Sequence, residues 1–426
     1  MPTIIIIGGG FAGTSLTRKL VGRLPFGWNV LLISEESYTT YNPLLPEVVG
    51  ASIFPDHAVA PLREAIGQHP DARFVMGKVT SVDFTRRNVT CETLSGARHF
   101  EFAELVFALG NRARLDLLPG MREHALPLKT IGDALHVRNV ALRRLAMIEL
   151  EHDPMLRLKL GHFVVIGGGF SGVEVAGALH DFLKSSLRHY PRVRRAEIKV
   201  TVVQNIDRIL PELPEALSEK ALVALKKRGV EFRLGAVARS VDADGVQLQE
   251  GEKLESKTTI STVGTISNDL IAGLALPASQ GRISVSPNLE VLGFPGVWAL
   301  GDCASVVNTM TGKVSPTTAQ FAIAQANHLA ENLIATLNHA PTRPFSYRAK
   351  GIMASTGHLD GVAEVGGLQV SGLVAWLLWR AYYLLQAPTM RRKVRLFGEW
   401  TWGMFFTTDI THFRFLRSGE DHAKDF

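Results

Sequence analysis

Two glycine-rich segments in this chain have the spacing that binds the phosphates of a dinucleotide. Each follows an apolar run and contains three glycines in the pattern GxGxxG, namely Gly8, Gly10 and Gly13 in the first segment and Gly167, Gly169 and Gly172 in the second. The first glycine allows a tight turn, the second lets backbone N–H groups approach a pyrophosphate, and the third lets helix and strand pack closely. The N-terminus of the following helix attracts the phosphate charge. Two copies predict two bound dinucleotides.

The other contacts of such a site come from nearby elements. An acid near the end of the second strand hydrogen-bonds a ribose, and Glu35 is the candidate after the first fingerprint. Ser34 precedes it, so the register between these two residues stays open. The prolines of residues 41–47 resist regular structure. That segment is either a loop that lines the ligand or a plain surface turn.

The elements that position these residues alternate between strands and helices. This alternation predicts an α/β protein with two Rossmann-like dinucleotide-binding domains, one interrupted by the other, and a C-terminal amphipathic region. Strands are predicted at residues 4–7, 29–33, 73–83, 88–100, 105–109, 163–166 and 198–203, and helices at about 13–23, 128–151, 172–186, 216–228 and 319–337. We place the first domain at residues 1–125 and 286–345, the second at 126–285, and the C-terminal region at 346–426.

Composition excludes several classes of function. The 426 residues are enough for two or three domains. The net charge of +6 comes from scattered basic residues without an aromatic-interleaved basic face, so we exclude nucleic acid as a partner. The two cysteines, Cys91 and Cys303, form no CxxC motif, which excludes a disulfide framework and fits a reducing compartment. No metal site is predicted, and residues 4–7 are too short an apolar run for a signal peptide.

With these motifs in place, the chain resembles the flavin-dependent pyridine-nucleotide disulfide oxidoreductase superfamily. Within it, the chain is similar to the type II NADH dehydrogenases, which transfer electrons from NADH through FAD to a quinone without pumping protons. Besides the fingerprints, the resemblance depends on residues 43–45, 126–135, 301–302, 347–351 and 366–379. It extends along nearly the whole chain, and the last segment resembles the membrane-anchoring region of the family.

The resemblance implies FAD as the cofactor, NADH or NADPH as the co-substrate and a quinone as the acceptor. The implied FAD contacts are Gly8, Gly10, Phe11, Ala12, Gly13, Glu35, Pro43, Leu44, Val79, Gly110, Gly301 and Asp302. The implied NAD(P)H contacts are Gly167, Gly169, Gly172, Gln204 and Gly264, and the implied quinone contacts are Ala319, Gln320 and Gln325. Two residues have implied catalytic roles: Glu174 orients the nicotinamide or assists proton movement, and Lys350 lies close to the quinone.

Three residues depart from the family's pattern. Gln204 replaces an acid that hydrogen-bonds the adenosine ribose and repels a 2′-phosphate, which weakens the preference for NADH. The quinone helix reads AQFAIAQ instead of AQxAxQ, so Gln325 is displaced by one position, about 100° around a helix. Leu109 replaces a threonine, which we interpret as a packing change. The basic candidates to approach a 2′-phosphate are Arg192, Arg194, Arg195 and Arg208, with solvated surface residues as the alternative.

The C-terminal region has the character of a membrane anchor. Residues 368–386 are marginal for the about 20 residues of a membrane-spanning helix. We expect a helix ended by Pro388, with one face in the membrane interface, formed by Leu373, Trp376, Leu377, Arg380, Tyr383 and Leu384. A basic cluster that follows, Arg391, Arg392, Lys393 and Arg395, favours an anionic membrane surface. We predict a peripheral protein on the cytoplasmic face of the cell membrane; packing on the protein or a homodimer interface is the alternative.

Two other functions stay open. Gln204 supports an NADPH-preferring reductase of quinone metabolism, and Ala324 in the quinone helix supports a flavin-binding redox sensor with incidental turnover. Sulfide:quinone oxidoreductases and disulfide reductases need a cysteine pair, so both are excluded. The sequence leaves open which quinone is used and the oligomeric state.

Overall fold

The computed structural model describes residues 1–67, 69–387, 389–406 and 408–413. Pro388 and the last part of the predicted C-terminal region, residues 414–426, lie outside the described residues. The elements up to residue 113 are β1 (Thr3–Ile7), α1 (Phe11–Leu20), β2 (Asn29–Ser34), β3 (Tyr38–Thr40), α2 (Leu45–Val49), β4 (Val59–Pro61), α3 (Leu62–Ile66), β5 (Ala72–Asp83), β6 (Asn88–Thr93), β7 (Gly96–Glu101), β8 (Glu104–Phe107) and β9 (Asn111–Ala113).

The middle of the chain continues the alternation of strands and helices. Its elements are α4 (Met121–His124), β10 (Ala125–Pro127), α5 (Ile131–Leu150), α6 (Pro154–Gly161), β11 (His162–Ile166), α7 (Phe170–Ser186), β12 (Lys199–Val203), α8 (Glu215–Arg228), β13 (Val230–Arg233), β14 (Ala238–Asp242), β15 (Gly245–Leu248), β16 (Lys253–Glu255), β17 (Thr258–Ser261) and β18 (Thr265–Ser267).

The remaining elements lead into the C-terminal region. They are α9 (Asp269–Gly273), β19 (Ala278–Ser279), β20 (Arg282–Ser284), β21 (Val297–Ala299), β22 (Ala304–Ser305), β23 (Val307–Asn308), β24 (Lys313–Val314), α10 (Ala319–Leu337), β25 (Gly351–Gly357), β26 (Asp360–Val365), β27 (Leu368–Ser371), α11 (Leu373–Gln386) and α12 (Met390–Phe405).

Two sheets form the framework, and they confirm the predicted α/β class: the second is parallel, and the first is parallel except for β6 and β7, which pair in antiparallel fashion at one edge. The first has seven strands in the order β21, β8, β1, β2, β5, β6, β7, and the second has five in the order β10, β17, β11, β12, β13. β1 lies between β2 and β8 and pairs with both in parallel, as a run of four isoleucines predicts. Strand β21 joins the first sheet only after the second sheet is complete, so the second unit interrupts the first. The predicted domain boundaries stay predictions.

The segments that cross between the two sheets run side by side. Strand β9 leaves the first sheet and β18 returns to it, and the two pair in antiparallel fashion. Helix α5 begins at Ile131 rather than at residue 128 because Thr130 and Asp133 form a capping box. The Thr130 hydroxyl accepts the Asp133 N–H at 3.1 Å, and the Asp133 carboxylate accepts the Thr130 N–H at 2.8 Å.

The C-terminal region consists of a three-stranded antiparallel sheet, β25 to β27, and helices α11 and α12. Every helix in the described ranges is too short or too polar to span a bilayer. The prediction of which α11 residues face the membrane interface is partly wrong. Trp376 is 1% exposed and Arg380 is 8% exposed, and both pack against the protein. The outward face of α11 is formed by Leu373, Val374, Leu377, Leu378 and Leu385.

Arg380 points inward because the protein supplies partners for its charge. Its guanidinium carbon lies 3.7 Å from the centroid of Trp376 and 5.0 Å from that of Trp400, and its Nη2 donates to Glu47 at 3.4 Å. Arg392 of the predicted basic cluster also faces the protein, where it donates to the Val59 carbonyl at 2.6 Å. The cluster therefore presents fewer charges to solvent than predicted.

Candidate functional site

A cavity of about 1830 Å³ lies where the first sheet, the crossing segments and the C-terminal region meet. It brings together residues that are far apart in the sequence. The predicted site residues in its wall are Gly8, Gly10, Phe11, Ala12, Glu35, Pro43, Val79, Gly110, Glu174, Gly301, Asp302, Ala319, Gln320 and Lys350. The predicted residues outside its wall are Gly13, Leu44, Gly167, Gly169, Gly172, Gln204, Gly264 and Gln325.

The first glycine loop connects β1 to α1 at the cavity. Gly8 has φ +114°, and a Cβ on it would lie 2.3 Å from the Ala108 carbonyl oxygen. A Cβ on Gly13 would lie 1.9 Å from the Gly8 carbonyl oxygen, so helix and strand touch there. Around Gly10, in contrast, a Cβ would meet no protein atom within 4 Å. The space beside Gly10 is open toward the cavity, and a pyrophosphate fits there.

The second loop repeats this geometry between β11 and α7. Gly167 has φ +112°, and a Cβ on Gly172 would lie 1.9 Å from the Gly167 carbonyl oxygen. A Cβ on Gly169 would again meet no protein atom within 4 Å. Gly264 follows β17 with φ +74°, and its carbonyl accepts the Arg114 N–H at 3.2 Å. The two loops thus offer two phosphate cradles of the same shape.

Strand register shows which residues lie at the ends of the equivalent strands β2 and β12 of the two units. Ile7 pairs with Ile33 in the first unit, and Ile166 pairs with Val203 in the second. The residues that follow, Ser34 and Gln204, therefore occupy equivalent positions at the ends of their strands. Each contacts the middle glycine of its loop: a Cβ on Gly9 would lie 2.7 Å from Ser34 Oγ, and Gln204 Oε1 accepts the Gly168 N–H at 3.0 Å. Both positions are neutral, and Glu35 is exposed one residue further on.

The predicted arginines do not converge on the second loop. Nη2 of Arg208 donates to the carbonyls of Pro211 and Leu213, so its guanidinium is engaged within its own loop. Residues 192–195 precede β12 and lie at the amino ends of the strands, whereas the glycine loop follows the carboxyl end of β11. The prediction that Arg192, Arg194 and Arg195 approach a 2′-phosphate is therefore wrong. These arginines are solvated surface residues, as the alternative interpretation has it.

Two half-buried residues of opposite charge, Lys129 and Asp302, lie in the cavity wall, and the sequence did not reveal that they come together. Burial raises the pKa of Asp302, and the nearby Lys129 and Arg282 oppose that shift. Burial also lowers the pKa of Lys129, whose Nζ donates to Asn111 Oδ1. Lys129 lies in the segment 126–130 that supported the resemblance, but only the fold brings it to Asp302. The pair places polar groups where the ribityl chain of a flavin fits.

Glu174 lies on the first turns of α7 and is 7% exposed. Its Oε1 accepts two hydrogen bonds of 3.1 Å, from the Ser355 backbone N–H and from the Trp379 indole. Burial raises the pKa of Glu174 to about 8, and Glu47 adds to the shift, whereas the two hydrogen bonds oppose it. Near neutral pH the carboxyl therefore holds a proton, and Oε2 is the oxygen left to carry it.

The two glutamines of α10 have different surroundings. Gln320 lines the cavity and holds the neighbouring segment: its Oε1 accepts the Lys350 N–H at 2.7 Å and the Tyr347 hydroxyl at 3.1 Å, and its Nε2 donates to Gly351. Gln325 is 2% exposed, and its Oε1 accepts the Gly301 N–H at 2.8 Å. Because of its displaced position on the helix, Gln325 points toward Gly301 and not into the cavity. The quinone contact that the resemblance implies for Gln325 therefore does not fit.

Comparisons with known proteins agree with this architecture. Residues 2–326 match the model of the family described as pyridine nucleotide-disulphide oxidoreductase. The chain is 29% identical to a type II NADH:quinone oxidoreductase of Mycobacterium tuberculosis, over 93% of this chain and 87% of that protein. It is 28% identical to a demethylphylloquinone reductase of Synechocystis, over 94% of this chain and 95% of that protein. The structure of NDH2 from Plasmodium falciparum in complex with NADH superposes with a TM-score of 0.89 at 18% identity, covering 96% of this chain and 99% of that one.

Proposed function

This chain belongs to the pyridine nucleotide-disulphide oxidoreductase family, and from that premise we propose that it is a type II NADH:quinone oxidoreductase. It transfers electrons from NADH through FAD to a quinone at a membrane surface, without pumping protons. The observation that carries this proposal is the shared cavity, whose wall combines a phosphate cradle, the protonated Glu174 and the C-terminal region. The absence of a cysteine pair supports a quinone rather than a disulfide as the acceptor.

The proposed FAD site extends along the wall of the first unit. The glycine loop binds the pyrophosphate at the N-terminus of α1, and Asp302 and Lys129 flank the ribityl chain. Bound FAD supplies the ability to accept a hydride and release two electrons. Gly13 and Leu44 contribute packing behind this wall. The ribose is bound by Ser34 or Glu35, and the structure favours Ser34 as the equivalent of Gln204.

Glu174 and Lys350 are the proposed catalytic residues of the quinone step. Reduction of a quinone to a quinol consumes two protons, and Glu174 Oε2 holds one beside the cavity at neutral pH. Lys350 lies on the wall next to Ala319 and Gln320, and its ammonium group favours the negative charge that develops on a quinone oxygen. Gln320 keeps this wall in place through its contacts with residues 347–351.

We test this function by anaerobic rapid mixing of the flavin-loaded protein. NADH should bleach the visible absorption of the flavin, and a soluble quinone should then restore it. Bleaching without recovery by quinone would reject the quinone as acceptor and favour the sensor alternative. Absence of bleaching by NADH and NADPH would reject the oxidoreductase altogether.

The membrane surface is the second part of the proposal. The outward face of α11 continues in α12 with a further set of exposed apolar residues, Met390, Val394, Phe397, Trp402 and Phe405. Exposed Arg391 and Arg395 flank this face and attract anionic lipid. Leu378 and Leu385 are exposed and also line the cavity, so the cavity opens beside this face. We propose that the face lies on the cytoplasmic side of the cell membrane; a homodimer stays a prediction.

A substitution on this face tests the membrane contact. Leu377→Asp should reduce sedimentation with vesicles that contain phosphatidylglycerol, because Leu377 is 49% exposed on α11. Val223→Asp is the matched control, since Val223 is 59% exposed on α8, which is not part of this face. Equal sedimentation of both variants and the wild type would contradict the proposal.

A second candidate function is an NADPH-preferring quinone reductase of quinone metabolism. The observation that favours it is Gln204, which leaves the ribose-side position of the second unit without a carboxylate. One similar protein is a demethylphylloquinone reductase by name. The relative rates of flavin bleaching by NADPH and NADH distinguish the two candidates.

A further inference from the structure

Two indole groups of the C-terminal helices donate hydrogen bonds to two buried carboxylates of the main body. Trp379 of α11 donates to Glu174 Oε1 at 3.1 Å, and Trp400 of α12 donates to Glu47 Oε2 at 2.5 Å. Trp379 and Trp400 are 1% and 4% exposed, and their ring centroids are 6.3 Å apart. Helices α11 and α12, which we propose to contact the membrane, thus also contact the buried interior of the protein through this pair of tryptophans.

We propose that Trp379 is a positioning residue for the quinone step. Its indole N–H fixes the orientation of the Glu174 carboxyl, so the position of this carboxyl depends on α11. This inference rests on the proposed function, and it deepens the role of the same site. Trp379 itself lies outside the cavity wall, so it acts through Glu174 rather than on a substrate.

Two aromatic neighbours pack against the Trp379 indole and hold it in one orientation. Its ring lies 4.6 Å from that of Tyr383, and Trp400 packs against it from α12. A buried ring that packs against two aromatic neighbours keeps its N–H directed at one acceptor. The second donor to Glu174, the Ser355 N–H, belongs to β25. Both donors therefore come from the C-terminal region, and together they leave Oε2 as the oxygen that carries the proton.

The charged and titratable groups around Glu174 belong to two elements, α2 and α11. Glu47 on α2 opposes ionisation of Glu174, and Arg380 on α11 compensates Glu47. Tyr383 on α11 is buried, and burial raises the pKa of its hydroxyl, so it stays neutral. Strand β25 carries no titratable side chain. The indole N–H is thus one of two neutral donors that favour the ionised carboxylate in an otherwise unfavourable environment.

Trp379→Phe removes the N–H and keeps a ring in place. Infrared difference spectroscopy of the flavin-loaded protein detects the C=O band of a protonated carboxyl, and Glu174→Gln identifies the band that belongs to Glu174. In wild type this band should disappear with a midpoint near pH 8. In Trp379→Phe the midpoint should rise by about one pH unit, because a donor to the carboxylate is lost. The pH profile of quinone reduction should move in the same direction.

Trp400→Phe is the matched control, because it makes the same change in the same cluster but affects Glu47. Its Glu174 band should not move upward. An equal upward shift in both variants, or an unchanged midpoint in Trp379→Phe, would overturn the inference. If wild type fails to be bleached by NADH, the proposed function fails instead, and the infrared midpoint still tests the contact.

A second measurement avoids substitution of Trp379. In protein labelled with ¹⁵N-tryptophan, one of the six indole N–H resonances should titrate with the same midpoint as the carboxyl band. That resonance should stop titrating in Glu174→Gln. Six resonances that are all independent of pH within about one unit of the Glu174 pKa of about 8 would contradict the contact.

Discussion

At the scale of single residues, the proposed reaction depends on the two neutral strand ends and on the buried carboxyl of Glu174. Ser34 and Gln204 occupy equivalent positions, and each contacts the middle glycine of its loop. Neither offers a carboxylate to a ribose. Nucleotide choice therefore depends on hydrogen bonds from neutral groups, which discriminate less strongly against a 2′-phosphate than a charge does.

Gln204→Glu should raise the preference for NADH over NADPH by about tenfold in kcat/KM, because a carboxylate repels the 2′-phosphate. The glutamate keeps an acceptor for the Gly168 N–H but loses the donor to the Arg208 carbonyl. The control is Asn205→Asp, which adds the same charge at the exposed neighbouring position. A ratio that is unchanged, or changed equally by both variants, would contradict the argument.

Glu174 should also affect stability in a pH-dependent way. Its pKa is about 8 in the folded protein against 4.5 as the ordinary value, so between these pH values only the unfolded state ionises. Stability should fall with rising pH in this window, by about 1.4 kcal/mol per pH unit from this group, and level off above it. Glu174→Gln should lack this contribution. Denaturant unfolding of both proteins from about pH 5 to about pH 9, a range that spans this window, measures the contribution, and parallel curves would contradict it.

At the scale of elements, capping and ion pairs set where helices begin and how they attach. Helix α5 connects the crossing segments to the second sheet, and its start is fixed by the Thr130 hydroxyl. Thr130→Ala should lower the free energy of unfolding by about 1 kcal/mol, whereas Thr130→Ser should retain most of it. Chemical denaturation measures both, and an equal loss in the serine variant would contradict a capping role.

A buried ion pair attaches α6 to the turn before β12. Arg157 Nε donates to Glu197 Oε1 at 2.8 Å, and this hydrogen bond lowers the pKa of Glu197 to about 2. The stabilisation is present above the ordinary value of 4.5 and is lost as the pH falls toward 2. Arg157→Met should therefore be less stable than wild type at pH 7, with a smaller difference at pH 3. A difference that does not depend on pH would contradict the ion pair.

At the scale of the whole molecule, the C-terminal helices belong to the core as well as to the proposed membrane face. Trp376 and Trp379 are each 1% exposed on α11, which packs against β26, and Trp379 also contacts Glu174 of α7. Truncation after Ser371 removes this packing together with the exposed face. We expect the thermal midpoint to fall by about 10 °C, in addition to a loss of vesicle binding.

Leu377→Asp changes only the outward face, so its thermal midpoint should stay close to that of wild type. Thermal unfolding of the two proteins, followed by circular dichroism, makes the comparison. If the truncated protein unfolds at the wild-type temperature, α11 and α12 do not stabilise the rest of the protein. The proposed link from Trp379 to Glu174 then has no structural basis.

The sequence by itself determined the features that depend on local spacing. GxGxxG after an apolar strand fixes a turn, a helix start and a phosphate cradle, because each glycine acts on atoms a few residues away. Two such units in one chain predicted the α/β class and the two nucleotides. The change at Gln204 was visible for the same reason, since it follows a predictable strand.

Only the tertiary structure decided which side chains share a cavity and which face of a helix points inward. Lys129 comes near Asp302, and Trp379 donates a hydrogen bond to Glu174, across about 170 to 200 residues of chain. Arg380 was predicted at a membrane interface, but Glu47 and two indoles compensate its charge inside. Periodicity shows that a helix has two faces; which face is buried depends on partners that folding supplies.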